Sequence, residues 1–224
     1  MTMPFPGGID ANANATLVFS LVAAVIYAFT LGMPPRLARS AAKTLAVAML
    51  AVLAFMQGGP WLLVAALALS AVGDAFLSRG GEKAFLGGLG SFFAAHILYV
   101  PLFLRSGGGM GLLGAESWRG AIALAMAAFA LVMLAALWRR VGPTLRLPIG
   151  VYVAAILAMG ISALTTSNSL VIGGAILFMA SDGLLATEQF LLAAISPHRI
   201  WMRYAVWALY YVAQLVITLG FLLA

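Results

Sequence analysis

Long apolar stretches, each able to cross a lipid bilayer as a helix, recur along the whole chain. They fall at 15–33, 41–57, 60–78, 84–104, 118–138, 147–165, 169–194 and 200–223. A bilayer core is about 30 Å thick, so a helix that spans it needs roughly 20 apolar residues. The intervening segments carry Gly, Pro, Ser and Asn, which end helices. This pattern predicts an all-α fold, a polytopic bundle of eight transmembrane helices in a single integral-membrane domain.

The composition agrees with a protein that is solvated mainly by lipid. Of the 224 residues, 64% are hydrophobic and 8% are charged, whereas about 25% of the residues of a soluble domain are charged. The formal net charge is +6. Because the basic residues follow the apolar stretches, we interpret them as contacts with lipid headgroups and predict no nucleic-acid partner.

The sequence lacks residues and motifs that several kinds of catalytic and metal-binding site require. The chain has no cysteine, which excludes disulfides, thiolate nucleophiles and cysteine-ligated metals. Two histidines offer few further ligands to zinc, so the sequence predicts neither a metal nor another cofactor. There is no G-x-S-x-G nucleophile elbow. The letters GMGLLG at 109–114 match a dinucleotide fingerprint, but they follow an apolar stretch instead of a strand.

The basic residues predict the orientation of the helices. Ten of the 12 Lys and Arg residues fall in alternate connections, as cytoplasmic loops do. They are Arg36, Arg39, Lys43, Arg79, Lys83, Arg139, Arg140, Arg146, Arg199 and Arg203. Only Arg105 and Arg119 fall on the opposite side. We therefore predict a bacterial inner-membrane protein with both termini outside the cytoplasm and no cleaved signal peptide.

Two carboxylic acids lie inside apolar stretches, at Asp74 and Asp182. A charged side chain near the bilayer centre costs about 2.5–3.5 kcal/mol, and such residues are commonly functional. At 1.5 Å per residue both lie roughly 20 Å from the outer end of their spans. The sequence therefore predicts that Asp74 and Asp182 share a depth and act as a catalytic pair.

The surroundings of the two acids suggest an internal repeat. Gly73–Leu77 and Ser181–Leu185 both read small, Asp, small, apolar, Leu, each in the third helix of a four-helix half. Four helices per half would make two parallel repeats. Coincidence remains an alternative, because the similarity is five positions long.

Other polar residues of the apolar stretches are predicted to point into the same interior pocket. These supporting residues are His96, Tyr99, Ser181, Gln189, Tyr210, Tyr211 and Gln214. Helical spacing places His96 and Tyr99 on one face, and Asp182 and Gln189 on another. The alternative is that they only bond neighbouring helices. Ser70 and Ser78, four residues either side of Asp74, would bond it, while Glu188 would have a structural role.

These motifs resemble the YhhN family of membrane proteins, which includes the lysoplasmalogenases. The resemblance rests on Gly73-Asp74 with Leu77, on His96-x-x-Tyr99, on Ser181-Asp182 and on YYVAQLVI at 210–217. It implies hydrolysis of the vinyl ether bond of lysoplasmalogens, with Asp74 and Asp182 as the catalytic residues. The expected products are a fatty aldehyde and glycerophosphoethanolamine or glycerophosphocholine.

A lysophospholipid substrate would bring a charged headgroup to the basic side of the membrane. We predict that Arg79, Lys83 and Arg203 contact this headgroup. Two other functions remain open at this point. Paired intramembrane acids also occur in proton- or ion-coupled transporters, and a structural membrane protein can use acids to join helices. No feature of the sequence predicts an oligomeric state.

Overall fold

The protein is helical in the computed structural model, which describes residues 3–8, 11–34 and 36–224. Within these ranges there is no strand, and the elements are nine α-helices and one π-helical turn. They are α1 Asn12–Thr30, α2 Leu37–Met56, α3 Trp61–Leu77, α4 Glu82–Arg105, α5 Gly111–Ala115, α6 Ser117–Trp138, α7 Pro143–Ala163, α8 Ser169–Ala186, the π turn Thr187–Leu191 and α9 His198–Leu222.

Seven helices of the described chain are long and apolar enough to cross a membrane, which makes this an integral membrane protein. The exception among the eight predicted spans is α3, an apolar helix of 17 residues. Each predicted span coincides with a helix, and the short helix α5 was not predicted. The all-helical membrane fold is therefore confirmed, while the count of eight spans and the four-helix repeat stay predictions.

The outer surfaces of the helices are apolar. Phe29, Leu37 and Phe55 expose 78%, 89% and 74% of their surface, and Leu124 exposes 73%. In water such a surface would drive aggregation, but in a bilayer it contacts lipid chains. The polar side chains that are buried must accordingly find partners inside the protein.

The described residues form two compact units. Unit 1 comprises the described residues up to Tyr99 together with Gln214–Ala224, and unit 2 comprises Val100–Ala213. The helices α4 and α9 each run from one unit into the other.

In unit 1, α2 packs against both α1 and α3. The hydroxyl of Ser20 on α1 donates a hydrogen bond of 2.5 Å to the carbonyl of Ala46 on α2. The turn from α2 to α3 is short because Gly58 adopts a φ of +67°, a left-handed conformation that favours glycine. The Gly59 amide then donates back to Ala54, and Pro60 precedes the first residue of α3.

In unit 2, α6 packs on α7 and α7 packs on α8. Arg119, in the first turn of α6, is buried, and its Nη1 donates to the carbonyls of Leu164 and Thr166, both at 2.6 Å. These carbonyls belong to the turn between α7 and α8, where helix-end carbonyls lack helical partners. Hydrogen bonds from Arg119 and then Trp118 hold the pKa of the Glu116 carboxyl below its usual value.

Candidate active site

Asp74 lies in the last turn of α3 and forms a buried ion pair with Lys43 of α2. The Lys43 Nζ is 3.0 Å from Asp74 Oδ1, and the two side chains are 13% and 1% exposed. The charge count grouped Lys43 with a connection, but Lys43 lies on α2, which begins at Leu37, and the predicted span 41–57 already contained it.

The aromatic ring of Tyr27, on α1, lies beside this ion pair. Lys43 Nζ is 5.8 Å and Arg39 Cζ is 5.7 Å from the centre of the ring, which are cation–π distances. Arg39 also donates a hydrogen bond of 2.7 Å to the carbonyl of Met33. Three helices, α1, α2 and α3, thus define the position of the Lys43 ammonium.

A chain of hydrogen bonds lies one helical turn from Asp74 in unit 1. The Tyr99 hydroxyl donates to Gln214 Oε1 at 2.6 Å, and Gln214 Nε2 donates to Ser70 Oγ at 3.0 Å. All three side chains are fully buried. His96, one turn before Tyr99 on α4, is fully buried as well. The structure therefore brings Tyr99 and Gln214 together.

Ser70 and Ser78 direct their hydroxyl protons away from Asp74. Ser70 donates to the carbonyl of Ala66 at 2.9 Å, and Ser78 donates to that of Ala75 at 2.8 Å. The expectation that these two serines bond the Asp74 carboxylate is wrong on this point, because back-bonding within a helix satisfies each hydroxyl.

Asp182, on α8 in unit 2, is half-buried and accepts a hydrogen bond from the hydroxyl of Tyr152 on α7. The distance from Tyr152 Oη to Asp182 Oδ2 is 2.5 Å. The neighbouring Ser181 is buried, and its hydroxyl donates to the carbonyl of Phe178. The sequence analysis missed Tyr152, since a single Tyr in an apolar helix is a weak signal.

Aromatic packing surrounds Tyr210 and Tyr211 of unit 2. The Trp207 ring is stacked on Tyr211 at 5.7 Å, and Phe178 meets Tyr210 edge-to-face at 5.5 Å. Trp207, Tyr210 and Tyr211 are all buried. Phe178 precedes Asp182 by one helical turn, so this cluster packs against the same helix that carries the carboxyl.

The π turn at the end of α8 changes which residues face inward. Gln189 is exposed, whereas Glu188 is buried. The prediction that Gln189 shares a face with Asp182 is wrong, because a π turn contains more residues per turn than the α-helix assumed. Glu188 has the structural role expected of it: its Oε1 is 2.8 Å from Arg203 Nε and 3.5 Å from Arg199 Nη2.

A glycine lies beside each aspartate and faces an aromatic ring. A Cβ atom at Gly73 would be 2.7 Å from Phe92 Cε2, and one at Gly183 would be 2.4 Å from Phe129 Cζ. The small residues of the motif therefore let a ring pack directly on the helix backbone next to the carboxyl.

The predicted headgroup residues differ in their surroundings. Arg79 and Lys83 are exposed on either side of the turn between α3 and α4. Arg203 is 47% exposed but is engaged by Glu188. Arg79 follows Asp74 by five residues, so both lie near the same end of α3.

The structure thus sorts the predicted site residues by unit. Asp74, His96, Tyr99, Gln214, Arg79 and Lys83 belong to unit 1, and Asp182, Ser181, Tyr210, Tyr211 and Arg203 belong to unit 2. A common pocket for both carboxyls stays a prediction. Among the described residues, no group of three His, Asp or Glu side chains is arranged to hold a metal ion.

Comparison with known proteins identifies the class of membrane protein. The model of the YhhN family matches residues 38–221. That range begins in the first turn of α2 and ends in the last turn of α9, so it includes both aspartates. The chain belongs to the YhhN family.

Curated relatives carry the name of an enzyme. The chain is 31% identical to a lysoplasmalogenase of Mycobacterium bovis over 71% of its own length and 59% of the relative. It is 36% identical to human lysoplasmalogenase TMEM86B over 71% of its length and 62% of that protein. The chain thus spans about three fifths of the relatives it matches. No solved structure matches it.

Proposed function

We propose that this protein hydrolyses the vinyl ether bond of lysoplasmalogens, releasing a fatty aldehyde and glycerophosphoethanolamine or glycerophosphocholine. The names of the curated relatives support this activity. In the chain itself, the proposal is carried by two carboxyl groups on apolar helices, Asp74 and Asp182, each with a donor side chain at one oxygen.

A vinyl ether hydrolyses through a cation, and this explains the need for two carboxyls. An acid protonates the vinyl carbon distal to the ether oxygen, which leaves an oxocarbenium ion. Water then adds to this ion, and the resulting hemiacetal collapses to aldehyde and alcohol. One carboxylic acid can supply the proton while a carboxylate stabilises the cation, as paired carboxyls do in glycosidases.

The position of Asp74 along its helix suits the depth of the bond that is cleaved. Asp74 is three residues before the end of α3, or about 4.5 Å at the helical rise. The vinyl ether is attached directly to the glycerol of the substrate, which lies where the hydrocarbon core meets the headgroups. A carboxyl near the end of a membrane helix is therefore better placed for this bond than one at the bilayer centre.

We further propose that the substrate enters from the bilayer of a bacterial inner membrane. Arg79 and Lys83 attract the phosphate, and Arg203 is a weaker candidate because Glu188 already engages it. The polar side chains near the carboxyls orient the glycerol and the attacking water; they are His96, Tyr99, Ser181, Tyr210, Tyr211 and Gln214.

A second candidate function is proton- or ion-coupled transport. The observation that favours it is the buried pair of Lys43 and Asp74, since charge pairs inside membranes also form ion pathways. A carrier would move charge across a vesicle membrane and would leave the lipid chemically unchanged.

The test uses purified full-length protein and a synthetic lysoplasmalogen in detergent micelles. We expect aldehyde release from the vinyl ether lipid and none from the matched alkyl ether lipid, which cannot form the cation by protonation. Absence of aldehyde from folded protein, with charge movement in proteoliposomes, would instead support the transporter.

A further inference from the structure

We propose that Lys43 is a positioning residue that keeps Asp74 ionised, and that Asp74 is therefore the cation-stabilising carboxylate and Asp182 the proton donor. The assignment rests on the proposed hydrolase function. It goes beyond that function because neither the sequence motifs nor the names of the relatives distinguish the two aspartates.

The first argument is the geometry of the ion pair. The 3.0 Å between Lys43 Nζ and Asp74 Oδ1 is a direct contact between groups that are both largely withdrawn from solvent. At this distance in a medium of low polarity, each charge strongly stabilises the other. A buried ammonium needs such a partner, so the pair is best described as ammonium and carboxylate.

The second argument is the place of Asp74 in its own helix. The carboxyl end of a helix carries partial negative charge, which disfavours an acidic side chain there. Asp74 lies in the last turn of α3, and that turn contains no basic residue. The helix that carries Asp74 therefore opposes its ionisation, and α2 supplies the compensating cation through Lys43.

Tyr27 supports the same role for Lys43. The ammonium lies 5.8 Å from the Tyr27 ring centre, and the ring face attracts a cation without taking its proton. Lys43 is thus held between a ring on α1 and a carboxylate on α3. This arrangement keeps a positive charge 3.0 Å from one oxygen of the Asp74 carboxylate.

Asp182 has a different type of partner. The neutral hydroxyl of Tyr152 donates to its Oδ2, and because the proposed function needs one acid and one carboxylate, Asp182 is left as the carboxyl that carries the proton. In the proposed step, that proton passes to the distal vinyl carbon and the C=C electron pair forms the new C–H bond. An ether lone pair forms the oxocarbenium bond, and the proposed role of the Asp74 carboxylate is to stabilise that cation. Addition of water returns one proton to Asp182 and restores the starting state.

Infrared difference spectroscopy tests the two charge states without reference to activity. Spectra of the wild type minus Asp74→Asn should contain an ionised carboxylate band, and those of the wild type minus Asp182→Asn should contain the carbonyl band of a protonated acid. A protonated-acid band assigned to Asp74, or a carboxylate band assigned to Asp182, overturns the assignment.

Kinetics of aldehyde release test the role of Lys43. Lys43→Met should lower kcat by roughly 10²-fold, the usual effect of losing one preorganised electrostatic group, with little change in KM. Lys43→Arg, which keeps the charge, should recover most of the loss. The matched control is Arg36→Met, which removes an exposed charge of the same segment and should keep wild-type kinetics.

The same substitution in an Asp74→Asn background separates positioning from substrate binding. If Lys43 acts through Asp74, Lys43→Met adds no further loss of kcat there, as expected for groups that act as a unit. A further rise in KM would make Lys43 a headgroup ligand and would refute the positioning role. If wild-type protein releases no aldehyde, the proposed function fails, while the infrared assignment is still tested.

Discussion

Asp74, Asp182 and Glu188 each have an identified partner side chain, which is basic for Asp74 and Glu188 and a hydroxyl for Asp182. Lys43 neutralises Asp74, and two arginines bind Glu188. Asp182 instead accepts from the hydroxyl of Tyr152. A cation in contact with a carboxyl favours its ionised form, which is the reason for assigning the carboxylate role to Asp74. At the scale of single residues, this difference is the basis for assigning separate roles.

The first prediction concerns the carboxyls. Asp74→Asn and Asp182→Asn keep the shape of the side chain but remove the carboxyl proton and the charge. Each change should lower kcat for aldehyde release by about 10²–10⁴-fold, the range for general acid catalysis. The double variant should be little worse than either single variant.

Thermal unfolding separates this catalytic effect from damage to the fold. Asp74→Asn leaves the Lys43 ammonium without its counter-charge, so it should lower the melting temperature. Asp182→Asn keeps an oxygen that accepts from Tyr152, so its melting temperature should change little. Near-normal aldehyde release from either folded variant would rule out the acid pair.

Sequence reasoning found the two aspartates but not their partners. An acid in an apolar stretch is conspicuous because of its cost, which a single sequence reveals. The partners are distant along the chain: Tyr152 and Asp182 are separated by 30 residues. No local spacing rule links such positions, because helix packing brings them together.

At the scale of helices, close packing beside the aspartates depends on glycine. The Phe92 ring that faces Gly73 is buried, with 6% of its surface exposed, so it has little room to move. The Phe129 ring that faces Gly183 is 40% exposed and can turn outward. The two sites should therefore differ in how they tolerate a methyl group.

The second prediction compares three glycine substitutions. Gly73→Ala should destabilise the protein by about 1–3 kcal/mol through overpacking, and Gly183→Ala should destabilise it less. Gly173→Ala is the matched control on α8, since nothing lies within 4 Å of its added Cβ. It should be neutral or stabilise the helix by up to about 1 kcal/mol. Chemical or thermal unfolding in detergent measures the stability of the three variants. An equal loss of stability in Gly73→Ala and Gly173→Ala would contradict this prediction.

Helix ends were the least predictable elements. The first predicted span began at residue 15, whereas α1 begins at Asn12, and the second began at residue 41, whereas α2 begins at Leu37. Hydropathy follows the apolar residues, but a helix continues through polar ones until a breaker stops it. The π turn at Thr187–Leu191 has no sequence signature that we recognised, and it alone changed the faces of Glu188 and Gln189.

For the whole molecule, the all-helical membrane fold followed from hydropathy, because long apolar stretches cross a bilayer as helices, while the count of eight spans stays a prediction. Arg119, one of the two basic residues that fell outside the predicted cytoplasmic connections, shows that the position of a charge in the sequence does not by itself reveal its role. It is buried on the carbonyls of Leu164 and Thr166, so it stabilises a turn instead of marking a side of the membrane. The two-unit division was not predicted, since contact density has no direct sequence signal.

The third prediction concerns the orientation of the helices. Single cysteines in this cysteine-free chain can be labelled without background. Ser167→Cys, in the turn after α7, should react with an impermeant thiol reagent in intact cells. Gly80→Cys, in the turn after α3, should react only after permeabilisation. Both positions are exposed, and the reverse labelling pattern would invert the topology.

The ion pair between α2 and α3 also bears on how the chain enters the membrane. A translocon that released α2 alone would expose the Lys43 charge to lipid, and one that released α3 alone would expose the Asp74 charge; an unpaired charge in contact with lipid is costly. Only the tight turn at 57–60 separates the two helices. Release of α2 and α3 as one hairpin, with the ion pair already formed, avoids both costs. The ion pair therefore couples the membrane insertion of α2 to that of α3.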